Sequence, residues 1–222
     1  MMYKQDIEKK GFIMIKNVFE PEQLKQLSNV ILHYIKHNKT ISNANGITIP
    51  DFIKIPELNE VSMLKENEVL HGALNEIFEG NYRFCSHNDI GINRIVGWHK
   101  DKLNNEYAKF ETHDIWSKWK DEKHEIVKVL IYFQDHTNNN DGLKVVPESH
   151  KSKEMDHIHV HQLRPSLGDV VIFDQRITHR GMDKQVSHPR ILVSFGFGKN
   201  NIFTDNFEKG TSLRQHKQNG MI

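Results

Sequence analysis

EIVKVLIYFQ, residues 125–134, decides the fold because it alternates: Val127, Val129, Ile131 and Phe133 are all apolar, while Lys128, Leu130, Tyr132 and Gln134 are mixed. A period of two is that of an extended strand, whose successive side chains point to opposite faces. Working outward, strand-like runs stand at 82–86, 90–98, 143–146, 169–174 and 190–196, rich in β-branched and aromatic residues. No helical period separates them. That argues against a parallel sheet with crossover helices and predicts an antiparallel barrel or sandwich.

Helices precede these strands. Residues 3–10 fit a short helix ended by Gly11, and Phe12-Ile13-Met14-Ile15 a strand. Pro21 then opens an amphipathic helix through Leu24, Leu27, Val30, Ile31 and Ile35, spaced by threes and fours. A second helix is predicted over 61–78, closed by Gly80, and between the two lies loop with one short strand at 47–49. The predicted class is mainly β with flanking α, as a single domain over 1–222. Residues 102–123 have no clean period and carry Tyr107, Phe110, Trp116 and Trp119. They are expected to close over a mouth as a lid, or else to bury against the barrel.

Thirty Lys and Arg against 29 Asp and Glu give a net charge of +1, so no polyanion partner and no nucleic acid is indicated. Cys85 stands alone and cannot close an internal disulfide. The start MMYKQDIEKK lacks the apolar run of a signal peptide, and no stretch reaches the roughly 18 apolar residues that span a bilayer. A soluble, cytoplasmic protein is expected; the sequence does not speak to oligomeric state.

Among fifteen histidines, two fall into a pattern that chemistry can use. His99 and Asp101, two apart, share a side when the backbone is extended. His179 stands far downstream in GDVVIFDQRITH. Two imidazoles and one carboxylate on one face of an octahedral ion leave three positions open, the arrangement of non-haem Fe(II) oxygenases. Arg190 follows His179 by 11 residues at the head of RILVSFGFG, and its planar fork suits a carboxylate. Taken singly, His99 and Asp101 read as a surface pair at a strand end, His179 as a satisfied histidine beside Arg180 and Arg190 as a surface ion-pair partner; their order along the chain is what gives them weight.

With these residues in view, the sequence resembles the phytanoyl-CoA dioxygenase family of Fe(II)/2-oxoglutarate oxygenases. The resemblance rests on GWHKD at 97–101, VKVLIYFQDHTNNNDGLKVVPESHK at 127–151, GDVVIFDQRITHRG at 168–181 followed by Arg190, and GFIMIKNVFEPEQLKQL at 11–27. Glu148 departs from the family's usual glycine. The stretches 40–65, 102–123 and the tail after 200 lie outside the resemblance. It implies a double-stranded β-helix, the cupin-like jelly-roll barrel, with iron on His99, Asp101 and His179. It also implies Arg190 on 2-oxoglutarate, consumption of O2, release of succinate and CO2, and ascorbate as reductant in vitro. Asp101 favours hydroxylation, since halogenating relatives carry a small residue there.

Strand parity adds Tyr132 and Lys128 as contacts of 2-oxoglutarate if the even face lines the barrel, or as surface residues if it faces water. Asn93 shares a face with His99 and is a further candidate donor to the keto acid. Trp116 and Arg176 are candidate substrate contacts, Arg176 alternatively pairing with Asp174. His150 is read as structural at the barrel rim. His157, His159 and His161 alternate, and are read as an exposed face. The few aliphatic residues of 102–123 point to a small polar substrate. Two other readings stand beside the oxygenase: a cupin-like metalloenzyme that uses no keto acid, and a non-catalytic module that binds 2-oxoglutarate.

Overall fold

The computed structural model describes residues 2–38, 40–111, 115–116, 124–138, 141–155, 158–181 and 189–220. Helix α1 (Met2–Lys10) turns at Gly11 into β1 (Phe12–Ile15). Gly11 sits at φ +87°, and a Cβ there would meet the His150 ring at 2.6 Å, so the turn and the close approach both require glycine. Pro21 opens α2 (Pro21–His37), which buries Leu24, Leu27 and Ile31. The hairpin β2 (Ile41–Asn43) and β3 (Gly46–Pro50) follows.

The helix expected over 61–78 is broken. It becomes α3 (Asn59–Ser62), a 3-10 turn over Met63–Glu66, and α4 (Glu68–Phe78). Asn67 is the cause: its Oδ1 accepts the Leu70 N–H at 3.0 Å, so it starts a new helix instead of continuing the old one. Replacing Asn67 by alanine should lower stability by about 1 kcal/mol, the usual value of such a cap. A urea midpoint unchanged from the parent would rule this out.

The 82–86 and 90–98 runs are likewise not two strands. They form one, β4 (Tyr82–Ile92), kinked at Ser86 (φ 58°), with a register shift against the partner strand between Phe195 and Phe197. Asn93 (φ 52°) then turns the chain out of the sheet, so that 93–98 is irregular. The remaining strands are β5 (Ile126–Tyr132), β6 (Lys144–Val145), β7 (His161–Gln162), β8 (Val170–Asp174), β9 (His179–Arg180) and β10 (Ile191–Lys199). They assemble as a seven-stranded antiparallel sheet, β1-β8-β5-β10-β4-β3-β2, and a three-stranded sheet, β7-β6-β9. This is the framework of the double-stranded β-helix.

Both faces of β5 are buried. The odd positions Val127, Val129 and Ile131 pack under the helices with Leu24, Leu74, Ile90 and Phe195. Leu130 and Tyr132 face the small sheet, with Leu143, Val145, Val171 and Phe173. The even face therefore lines the barrel. Helix α5 (Ile202–Gln218), which the sequence reading left unassigned, closes the barrel's side over β4. Asn201 caps it, accepting from the Phe203 and Thr204 N–H groups at 3.1 and 3.2 Å. At Gly210 a Cβ would collide with Leu103 and the Tyr107 carbonyl, so glycine seats the helix against residues 103–107. No described helix is long and apolar enough to cross a membrane.

Candidate metal centre and its pocket

His99 and His179 come together through the backbone. They form an isolated antiparallel bridge, each N–H donating to the other's carbonyl at 2.9 Å. The Asp101 N–H is pinned on the Gln175 carbonyl at 2.9 Å, holding the carboxylate beside the two rings. His99 Nε2 lies 3.3 Å and His179 Nε2 3.8 Å from Asp101 Oδ1. All three donor atoms fall within 4.8 Å of one another, the only such cluster among the described residues.

Each imidazole is fixed in one tautomer. His99 Nδ1 donates to the Gly97 carbonyl at 2.8 Å and His179 Nδ1 to Ile177 O at 3.0 Å. The Nε2 lone pairs are left to face the common point, the arrangement that outer hydrogen bonds impose on metal-binding histidines. Burial lowers the His179 pKa to about 4, so its ring is neutral and available as a donor. Burial works against ionisation of Asp101, but His179, Lys128 and His99 overcome it and hold the carboxyl well below its usual range. Burial also opposes protonation of His99, but the neighbouring Asp101 carboxylate outweighs it and raises the pKa, so a divalent ion arriving there would displace a proton. A neutral His179, His99 and an ionised carboxylate are a donor set that suits Fe(II).

The three residues open on a cavity of about 580 Å³. Its floor is the inner face of the large sheet, in rows fixed by register. Gly91, Leu192 and Tyr132 form one row, Asp89, Ser194 and Leu130 the next, and Gly196, Lys128 and Phe173 the third. The Phe173 ring is 4.7 Å from the His179 ring, so the triad stands over the third row. Tyr132 and Arg190 define the opposite end. Arg190 is 2% exposed and Tyr132 fully buried, with the guanidinium carbon 5.4 Å from the phenol ring. Arg190 Nε donates to the Asp141 carbonyl at 2.9 Å. Among the described residues Arg190 Nη2 and Tyr132 Oη have no hydrogen-bond partner. Leaving a buried donor unmatched costs about 1–3 kcal/mol, more for a charged one. The pair is thus set to receive an acceptor.

The structure places Asn93 and Trp116 away from the cavity and takes the second of the two alternatives for Arg176, the pair with Asp174. Asn93 does not line the cavity; its Oδ1 accepts the Arg190 N–H at 2.7 Å and its own N–H donates to Arg190 O at 2.9 Å, so it braces the arginine's backbone. Trp116 and Arg176 do not reach the cavity either. They line a separate one of about 420 Å³, where Arg176 pairs with Asp174 at 2.7 Å and donates to Ile115 O. Lys128 lines the cavity as the even-face reading expects, on the third row below the triad and about 13 Å of strand from Tyr132.

Residues 103–107 of the expected lid form part of the rim, with Leu103, Asn104, Asn105 and Tyr107 lining it. Trp119, like 112–114 and 117–123, lies outside the described residues. His150 is buried, its Nε2 donating to Glu8 O at 3.1 Å. His161 stacks on Phe12 at 5.6 Å and His159 is exposed, while His157 lies outside the described residues. Sequence reasoning missed one whole wall: His87 and Asp89 from β4, and Phe207, Thr211 and Arg214 from α5. Asp89 was legible as the inward partner of Gly91 by parity once β4 was seen as continuous. The α5 residues gave no signal, because that helix mixes polar and apolar residues without a clear face.

Fold and site together define a double-stranded β-helix protein with two histidines and one aspartate converging at its open end. The chain belongs to the phytanoyl-CoA dioxygenase family, whose model matches residues 7–191. No curated protein matches the sequence. Among solved structures, HygX from Streptomyces hygroscopicus, with nickel, 2-oxoglutarate and hygromycin B bound, superposes with a TM-score of 0.68 at 15% identity, over 87% of this chain and 85% of that one. AviO1 from Streptomyces viridochromogenes Tue57 gives 0.65 at 16%, over 90% and 94%. SnoN, a non-heme alpha ketoglutarate dependent epimerase of nogalamycin biosynthesis, gives 0.67 at 9%, over 89% and 82%. At these identities the likeness is one of fold.

Proposed function

We propose that this protein is an Fe(II)- and 2-oxoglutarate-dependent dioxygenase that hydroxylates a small polar metabolite, with release of succinate and CO2. The observation that carries the reading is the pairing, in one cavity, of the His99, Asp101 and His179 cluster with the unmatched buried donors of Arg190 and Tyr132. His99, Asp101 and His179 hold the iron, and Arg190 with Tyr132 takes the far carboxylate of the keto acid. Bound iron supplies the reaction of dioxygen with the keto acid that oxidises a substrate C–H bond. The chain's own part is to fix the ligand nitrogens through Gly97 and Ile177, to keep Asp101 ionised, and to wall the centre with Leu130, Leu143, Leu192 and Phe173. Excluding water from such a centre suppresses side reactions. The whole of 1–222 acts as one catalytic unit in a cytoplasmic setting.

The test is succinate release. Protein loaded with Fe(II) and given ascorbate, 2-oxoglutarate and air should form succinate slowly even without its substrate; iron-replete protein that forms none, alone or with a broad metabolite panel, would refute the reading.

Asn93 serves by positioning. Its left-handed backbone is tolerable for asparagine and strained for most other residues, and its side chain holds the Arg190 N–H. Asn93→Ala should weaken 2-oxoglutarate binding about tenfold, or 1.4 kcal/mol, the scale of one buried hydrogen bond plus local strain. Mn(II) binding should stay at the parent value. Equal losses for both ligands would mean general damage instead of a displaced arginine.

A further inference from the structure

Six basic side chains line the cavity against two acidic ones, in a chain whose overall charge is +1. Most of that excess is accounted for. Lys100 donates to the Ser149 and Arg176 carbonyls at 2.6 and 2.9 Å, so its ammonium is directed away from the triad. Arg94 is bonded to the Thr48 hydroxyl. Arg214 pairs with Asp89 at 3.1 Å. Arg190 is matched, in the reading above, to one carboxylate of the keto acid, and the other carboxylate meets the metal's own charge.

Two cations remain. Lys102 is exposed at the mouth. Lys128 is only 3% exposed, yet among the described residues its ammonium has no hydrogen bond and no ion pair. Its Nζ lies 5.3 Å from the Phe207 ring, which turns it toward the wall formed by β4 and α5, away from Arg190. On the same wall Thr211 is 1% exposed, and among the described residues its hydroxyl has no hydrogen-bond partner. Burial disfavours this ammonium, the charges of Asp101 and Asp89 offset the penalty only in part, and its three donors face the cavity without a protein acceptor among the described residues, so an incoming anion would be favoured there. A cavity of this size, about 580 Å³, takes a small molecule.

We infer that the primary substrate is a small anion, bearing a carboxylate or a phosphate, received by Lys128 and Thr211 on the wall opposite Arg190. Lys102 at the mouth and the unbalanced charge of the lining draw it in, as fields in low-dielectric clefts do. The inference rests on the keto-acid reading, because 2-oxoglutarate at Arg190 takes up the other buried cation of the lining, and the Lys128 ammonium, turned to the Phe207 side of the row below the triad, is then the one assigned to the substrate.

The test is calorimetric, on the full chain with Mn(II) as a stand-in ion and without oxygen. 2-Oxoglutarate is titrated first. Matched probes are then added to the saturated protein: glycerol 3-phosphate against glycerol, and butanoate against butanamide. In at least one pair the anionic probe should bind at least tenfold more tightly than its neutral counterpart. Lys128→Met should abolish that preference while weakening 2-oxoglutarate by a smaller factor, and Lys128→Gln repeats the measurement should the first variant fail to fold. Absence of preference in both pairs, a preference that survives in the variants, or an equal loss for 2-oxoglutarate would overturn the inference and leave the oxygenase reading standing. Failure of 2-oxoglutarate to bind at the outset would sink both.

Discussion

Asp101→Ala loses iron and loses succinate formation by at least about 100-fold, beyond what removing a mere supporting residue of a metal site costs. The carboxylate is the only anion of the cluster and lies 3.3 and 3.8 Å from two imidazole nitrogens. Without it the divalent ion meets two neutral donors, with the Lys128 charge nearby and no carboxylate left in the cluster. The backbone should be undisturbed, because Asp101 is placed by its N–H on Gln175 O and the two histidines by their mutual bridge. Iron content after gel filtration and succinate per turnover are the measurements, with circular dichroism as the control for folding. A folded variant that keeps a full equivalent of iron and a tenth of the turnover would show that Asp101 is not a ligand.

Arg190→Ala raises the dissociation constant for 2-oxoglutarate by roughly 30-fold to several thousand-fold, the equivalent of the 2–5 kcal/mol lost when one partner of a buried charge pair is truncated. The arginine is 2% exposed, so water cannot replace it at the carboxylate. Arg190→Lys should recover only part of the loss, since a point charge on a flexible stem cannot reproduce the fork. Mn(II) affinity should stay within a factor of two in both variants, a control of order unity against which the anion loss is judged. An unchanged 2-oxoglutarate constant in Arg190→Ala would instead favour a cupin-like metalloenzyme that uses no keto acid.

The sequence carried the chemistry better than the frame around it. That His99, Asp101 and His179 converge, and that Arg190 shares their cavity, is legible because a metal cluster admits few residue types and the order of motifs along the chain is restrictive. The period of two in β5 sorts its residues into two faces but does not say which faces inward, and both are buried, so only the structure assigns the even face to the barrel. Asn93 was misread for a definite reason. Counting alternation from His99 assumes continuous extended backbone, and Asn93 at φ 52° breaks the count. Asn67 misled similarly: a cap in mid-pattern looks like one more polar position on a long helix. Trp116 stands in the expected lid and Arg176 three residues before His179, and neither placement says which of two cavities a side chain enters.

The family pattern ends at residue 191, and α5 begins after it, yet Phe207, Thr211 and Arg214 of that helix wall the cavity over Lys128. On the inference above, the substrate wall is thus shared between Lys128 of the family stretch and a helix outside it. Mutations along one face of that helix would then alter the target while leaving His99, Asp101, His179 and Arg190 as they are. The fold is in this sense a tool with an interchangeable jaw, and a combinatorial library restricted to those three positions would sample new targets at small risk to the oxidant-forming centre.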